Sequence, residues 1–166
     1  MIIHYQPIGL IHTPFSDLKG MPIQPTSNNA TPGTVEIFPE YQPGLKDLEG
    51  FSHIILIYHF HQSQGYKLHV VPFLDTREHG VFATRVPKRP NQIGLSVVRL
   101  LGVVGGLLNI ECIDVLNGTP LLDIKPYVPE FQSCENVRTG WLNDADRCVE
   151  STVSDDRFVS PIALQH

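Results

Sequence analysis

The chain has 166 residues, 42% of them apolar, with a mean hydropathy of −0.03 and a formal net charge of −5. That length suits one domain with a real core, and no apolar run approaches the ~20 residues a membrane-spanning helix needs. The acidic balance argues against a generic nucleic-acid binder, which carries a basic surplus. Three cysteines, Cys112, Cys134 and Cys148, are odd in number and form no C-x-x-C pair. Free thiols in a reducing cytoplasm are therefore expected, not a disulfide scaffold or a zinc knuckle. The opening M-I-I-H-Y-Q-P has neither the basic nor the apolar region of a secretory signal.

Fourteen prolines and thirteen glycines, spread throughout, break the chain into short segments. Short apolar runs between turn signals predict an all-β barrel or sandwich. Residues 2–12 read as a first strand that ends at Pro14. Residues 15–32 lack any period and read as a loop long enough to be functional. Gly33–Phe38 alternates as a half-exposed strand, and Phe51–Phe60, the most continuously apolar stretch, reads as a central strand buried on both faces. It closes on His59 and His61, which share one strand face. They read as a pocket pair or as two ligands of an incomplete metal site, since no third ligand follows in pattern. Tyr66–Leu74 predicts an edge or bulged strand because of Pro72.

Gly80–Ser96 stands out. It reads as a short apolar strand (Val81, Phe82, Ala83), a polar elbow, and a second apolar run from Ile93. Pro87 and Pro90 hold the elbow extended. Arg85, Lys88 and Arg89 offer cationic donors, Asn91 an amide, and Gly94 a close backbone approach. The stretch is either a functional loop or a solvated basic turn. Arg77, Arg85, Lys88, Arg89 and Arg99 fall in one span whose only acid is Glu78, so a basic mouth on an acidic body could still steer RNA. Leu95–Val104 predicts a strand ending in a hairpin at Gly105-Gly106. Leu107–Val115 alternates with a register slip near Ile113, and Asn117-Gly118 is the strongest hairpin signal before a returning strand, Thr119–Ile124. Past Pro129 the chain is acidic and loop-like, with Trp141 and a helical turn or two over 144–150. Gly102–Gly106 is not followed by a helix, so no Rossmann nucleotide loop is expected.

Two blocks, F-A-T-R-V-P-K-R-P-N-Q-I-G-L-S over Phe82–Ser96 and N-G-T-P-L-L-D-I-K-P-Y over Asn117–Tyr127, resemble in order the signatures of the TsaA-like (YaeB) family. That family includes the tRNA N6-threonylcarbamoyladenosine-37 methyltransferases. The resemblance covers residues 1–129 as one barrel domain and leaves 130–166 as an acidic extension on or beside it, a short form without the extra C-terminal domain of longer members. It implies a single-sheeted β-barrel, closed or nearly closed, with S-adenosyl-L-methionine as cofactor, tRNA as partner and a homodimer as the assembly. It also carries cofactor contacts onto Pro22, Ile23 and Gln24, onto Phe60 and His61, and onto Asn117, Gly118, Thr119 and Pro120. Asn117 stands where the family has Asp. The amide keeps the turn preference and an acceptor oxygen but loses the charge.

S-adenosylmethionine is a zwitterion with a further sulfonium charge and a flat adenine. Arg85 suits its carboxylate, the backbone of the 117–121 turn suits the adenine edge, and Phe60, Leu95 and Pro22 suit apolar walls. Methyl transfer is an in-line displacement accelerated mainly by positioning. Asp123, Asn91 or His61 would orient the acceptor nitrogen or take its proton, although Asp123 equally reads as the ion-pair partner of Lys125. Lys88, Arg89 and Lys125 would contact acceptor phosphates. The resulting expectation is N6-methylation of threonylcarbamoyladenosine at tRNA position 37, with no metal. The alternatives are methylation of a small molecule, a non-catalytic cofactor- or RNA-binding module, and a cupin-like metal enzyme built on His59 and His61.

Overall fold

The computed structural model describes residues 1–17 and 30–143. Its strands are β1 (Gly9–His12), β2 (Pro32–Ile37), β3 (His53–His59), β4 (His69–Val70), β5 (His79–Gly80), β6 (Ile93–Val104), β7 (Leu107–Glu111) and β8 (Thr119–Pro126). Six of them pair antiparallel in the order β1-β2-β7-β6-β3-β8, and β8 returns to β1 to close the barrel. Closure leaves these strands no free edge, and the expected all-β closed barrel is the fold.

Period-two alternation decides what fills it. Ile54, Leu56 and Tyr58 from β3, Val98 and Leu100 from β6, Leu108 and Ile110 from β7, and Leu121 from β8 meet in one core with Ile11, Val35 and Ile37. Each such side chain stabilises the fold by about 1.5–3 kcal/mol relative to exposure. β3 is flanked by β6 and β8, but it is not buried on both faces: Ile54, Leu56 and Tyr58 fill the core, while His53 is exposed and Ile57 and His59 are half-buried on the outer face. A second, smaller core of Val70, Val81 and Val86, with Phe73 against it, sits under the β4–β5 pair.

Four local expectations are corrected. The first strand is Gly9–His12 only, and residues 1–7 are exposed. Tyr66–Leu74 contributes just His69–Val70, paired with His79–Gly80 outside the barrel. Val81–Ala83 is a 3-10 turn, closed by the Thr84 amide and hydroxyl, which both donate to the Val81 carbonyl (3.1 and 2.9 Å). Asn117-Gly118 is a turn, with Gly118 at φ 75°, but it joins no hairpin. β7 pairs with β2 and β6, whereas β8 pairs with β1 and β3. The turn is pinned to the end of β1 instead: the Asn117 amide donates to Phe15 (2.8 Å), the Gly118 amide to Ile11 (2.9 Å), and the Asn117 Oδ1 accepts from Thr13 (3.1 Å). By contrast, the slip near Ile113 is real, because Cys112 at φ 65° ends β7 and breaks the alternation. Cys112 and Cys134 are free thiols. Cys148 and the helical turns read over 144–150 lie outside the described residues.

Candidate active site at the barrel mouth

Antiparallel closure brings the C-terminal ends of β1, β3 and β7 and the N-terminal ends of β2, β6 and β8 to one rim. Ile11 lies opposite Thr119, Pro32 opposite Glu111, and His59 opposite Ile93. Both motif blocks therefore open onto the same mouth, where β1 ends and β2 begins. Pro22, Ile23 and Gln24 fall between β1 and β2 in sequence but lie outside the described residues.

The elbow reaches the rim as a tightly bonded loop. Nη1 of Arg89 donates to the carbonyls of Thr84 (2.9 Å), Val81 (3.3 Å) and Val86 (3.3 Å), so the guanidinium sits as an internal post around which the chain turns. Ser63 donates to the Pro87 carbonyl (3.2 Å) and Gln92 to Gly65 (3.0 Å), fastening the loop to the segment after β3. Trp141 donates from Nε1 to Ala83 (2.8 Å) and stacks on His79, their centroids 4.5 Å apart. His79 in turn bonds Asp75 at 2.8 Å, and that bond holds the Asp75 carboxyl down at about 2. Of the five clustered cations, Arg77 pairs with Asp75 (3.3 Å) and Arg99 with Glu111 (3.4 Å), while Arg89 serves the loop. Arg85 is exposed on the rim and Lys88 is half-buried there.

On β3 and β6 the wall is aromatic. Gly94 lies opposite Tyr58, and a Cβ there would drive into the rings of Tyr58 and Phe60, which meet edge to face at 5.4 Å. His61 follows, with Nδ1 3.5 Å from the Thr119 hydroxyl, a contact at the limit of hydrogen bonding. The Thr119 proton goes to the Leu116 carbonyl (2.7 Å). Burial first, and the neighbouring His59 second, push the His61 imidazole below its ordinary value, so it is neutral at pH 7. Among the described residues no cluster of three or more His, Cys, Asp or Glu could hold a metal.

Phe60, His61, Arg85 and the Asn117–Pro120 turn thus gather at one mouth, with Asn91 exposed at its rim. Two other candidates do not join the interior. Leu95 points outward from β6, between the inward Gly94 and Ser96. Asp123 lies on the outer face of β8 with Lys125, their ion pair 2.8 Å long, while Ile124 between them packs on the core.

Sequence reading missed a polar line that runs from the core to a half-buried carboxylate. Tyr58 Oη is 2.9 Å from Ser96 Oγ, and Ser96 donates to the Asp114 carboxylate at 2.6 Å. Burial, and then the Asp114 charge, raise the Tyr58 phenol. Burial raises Asp114 to about 6, against the opposing pull of Ser96, its own amide and Arg85. A serine inside an apolar run (Leu95-Ser96-Val97-Val98) facing an inward tyrosine on the next strand was the available signal.

The structure is thus a closed antiparallel β-barrel domain with a guanidinium, an aromatic wall and a histidine at one mouth. The profile of the tRNA-methyltransferase O N-terminal domain family matches residues 10–133, and the chain belongs to that family. It is 55% identical over 160 residues to a probable S-adenosyl-L-methionine-binding protein of Pyrococcus abyssi, covering 96% of this chain and 87% of that one. It is 37% identical over 139 residues to the human tRNA (adenine(37)-N6)-methyltransferase, covering 80% of this chain but only 32% of that one. The crystal structure of TrmO from Pseudomonas aeruginosa superposes with a TM-score of 0.72 at 42% identity, over 84% of this chain and 62% of that chain.

Proposed function

We propose that the chain is an S-adenosyl-L-methionine-dependent methyltransferase acting on N6 of adenosine 37 in tRNA, with threonylcarbamoyladenosine as the acceptor nucleoside. The observation that carries this reading is the convergence of both family blocks on one barrel mouth. The names of the relatives support it.

The residues present fit the cofactor. Arg85 would take its carboxylate, the 117–120 turn the adenine edge through its carbonyls, since the amides of 117–119 are bonded internally, and Phe60 the apolar wall. Pro22, Ile23, Gln24 and Leu95 stay candidates for completing the pocket. The bound cofactor supplies an electrophilic methyl on sulfur. On taking up that methyl the acceptor nitrogen would have to give up a proton. His61, neutral and at the mouth, is placed to accept that proton, and Asn91 to orient the nitrogen. Asp123 would have to act from outside the barrel. Lys88, and the donors of Arg89 and Lys125 not engaged internally, would meet phosphates. We further assign a homodimer, supported by the exposed apolar side chains of Ile93, Leu95 and Leu101 on the outer face of β6, and a cytoplasmic setting, where tRNA is found.

A small-molecule acceptor is the second reading. It is favoured by how little of the basic span is left to meet RNA once Arg77, Arg89 and Arg99 are engaged. Titration calorimetry of S-adenosylmethionine into the protein and into Arg85→Ala tests the cofactor, with at least tenfold weaker binding expected in the variant. Nucleoside mass spectrometry of tRNA after incubation then tests the acceptor. Cofactor turnover without any methylated adenosine in tRNA would move the assignment to the second reading.

A further inference from the structure

The Tyr58–Ser96–Asp114 line has a direction. Ser96 has one hydroxyl proton, and at 2.6 Å it goes to the carboxylate, a length typical of an O–H donor to an ionised acceptor. The Ser96 oxygen must then accept from Tyr58, whose raised phenol stays protonated and available as the donor. Tyr58 comes from β3 and Ser96 from β6, both fully inside the barrel, whereas Asp114 comes from the segment linking β7 to β8. Three separate elements therefore converge to fix one carboxylate beneath the rim. Arg85 stands near enough for its charge to be felt by both Asp114 and Tyr58.

This arrangement fixes a carboxylate that is only half-buried, so beyond its bond to Ser96 it keeps a side open to a cation entering the mouth. Burial, outweighing Ser96, the Asp114 amide and Arg85, raises its carboxyl to about 6, the direction that such a cation would reverse. We propose that Asp114, fixed by Ser96 and Tyr58 beneath Arg85, is the anionic half of a charge pair matched to the methionyl end of the cofactor: Arg85 takes its carboxylate and Asp114 faces its cationic centre. The proposal rests on the cofactor reading above and adds a specificity-determining residue to it. The cofactor has two cationic centres, an ammonium and a sulfonium. Methyl transfer removes only the second, so its product, S-adenosylhomocysteine, separates them.

The test is calorimetric binding of S-adenosylmethionine and S-adenosylhomocysteine to the native chain, Asp114→Asn and Ser96→Ala, at several values between pH 5 and 7.5, with folding followed by circular dichroism. The groups facing Asp114 are Tyr58 from β3 and Arg85 from the elbow, and neither changes charge in that range. Asp114→Asn should bind S-adenosylmethionine at least tenfold more weakly at pH 7.5. The native affinity should fall as pH drops below about 6, and more steeply than that of Asp114→Asn, whose remaining pH dependence would be that of His61. Loss confined to S-adenosylmethionine assigns Asp114 to the sulfonium, and equal loss for both ligands assigns it to the ammonium. Either outcome sustains the pair. Should Asp114→Asn not fold, the native pH profile and Ser96→Ala carry the test. Folded Asp114→Asn with native affinity, or a native affinity indifferent to pH, overturns the proposal. Absence of binding by the native chain overturns the cofactor reading itself.

Discussion

Single residues at the mouth are set by what their neighbours forbid. Gly94 has no side chain because two rings occupy the place of its Cβ. Gly94→Ala should cost about 1–3 kcal/mol through displaced rings, and for a chain of this size ~1 kcal/mol lowers Tm by about 2–4 °C. A melting curve checks it. The raised Asp114 makes a second prediction with a definite sign. A carboxyl whose folded value lies above its unfolded one favours the fold below the unfolded value, about 3.8, and that contribution is lost as pH rises through about 6. Asp114→Asn should therefore be more stable than the native chain at pH 7.5 and not at pH 4. The gain is at most about 3 kcal/mol, the worth of the whole displacement. Urea unfolding at the two values reads it directly, and equal differences at both would mean that burial does not strain the carboxylate.

At the scale of elements, what was legible in the sequence was whatever local chemistry decides. Alternation located β2 and β7, a continuous apolar run located β3, β-branched content located β6, and Gly105-Gly106 closed the β6–β7 hairpin with Gly105 at φ 59°. Strand pairing across the chain was not legible. Asn117-Gly118 has hairpin chemistry, yet barrel closure sends β8 to β1 and β3, and no local signal encodes that choice. The elbow shows the same limit. Arg89 carries the charge of a phosphate ligand, but three carbonyls that converge only after folding engage its Nη1. Its truncation and that of Lys88 should consequently differ in kind. Arg89→Ala should lose about 1.5–3 kcal/mol, the worth of hydrogen bonds to a charged group, with faster amide exchange at Thr84 and Val86. Lys88→Ala should stay within about 0.5 kcal/mol of native stability, as surface changes do. Equal stability of the two variants would refute the internal role of Arg89.

For the whole molecule, the barrel solves its edges by closure but leaves an outer face that water does not favour. Along β6 and the start of β7, Ile93, Leu95, Leu101 and Leu107 point away from the core at 38%, 47%, 50% and 46% exposure. Arg99, ion-paired with Glu111, interrupts the row between Leu95 and Leu101, and exposed apolar groups flanking such a pair suit an interaction surface. Leu95 gives it a further meaning. The residue lies in the first signature block but outside its own barrel, so if it walls a cofactor pocket it does so at the rim or from a neighbouring copy. A second copy packed on this stripe would bring the outer face of one β6 toward the other and join assembly to the site. Leu101→Glu places a charge in the stripe, well along β6 from the mouth, and should convert a dimer to a monomer by sedimentation velocity without lowering the melting temperature. If the pocket is completed across the stripe, the same variant should lose affinity for S-adenosylmethionine, and the native protein should lose it on dilution through the dimer dissociation constant. A folded monomer that binds the cofactor as tightly as the native chain would confine the site to one barrel and leave Leu95 no part in it.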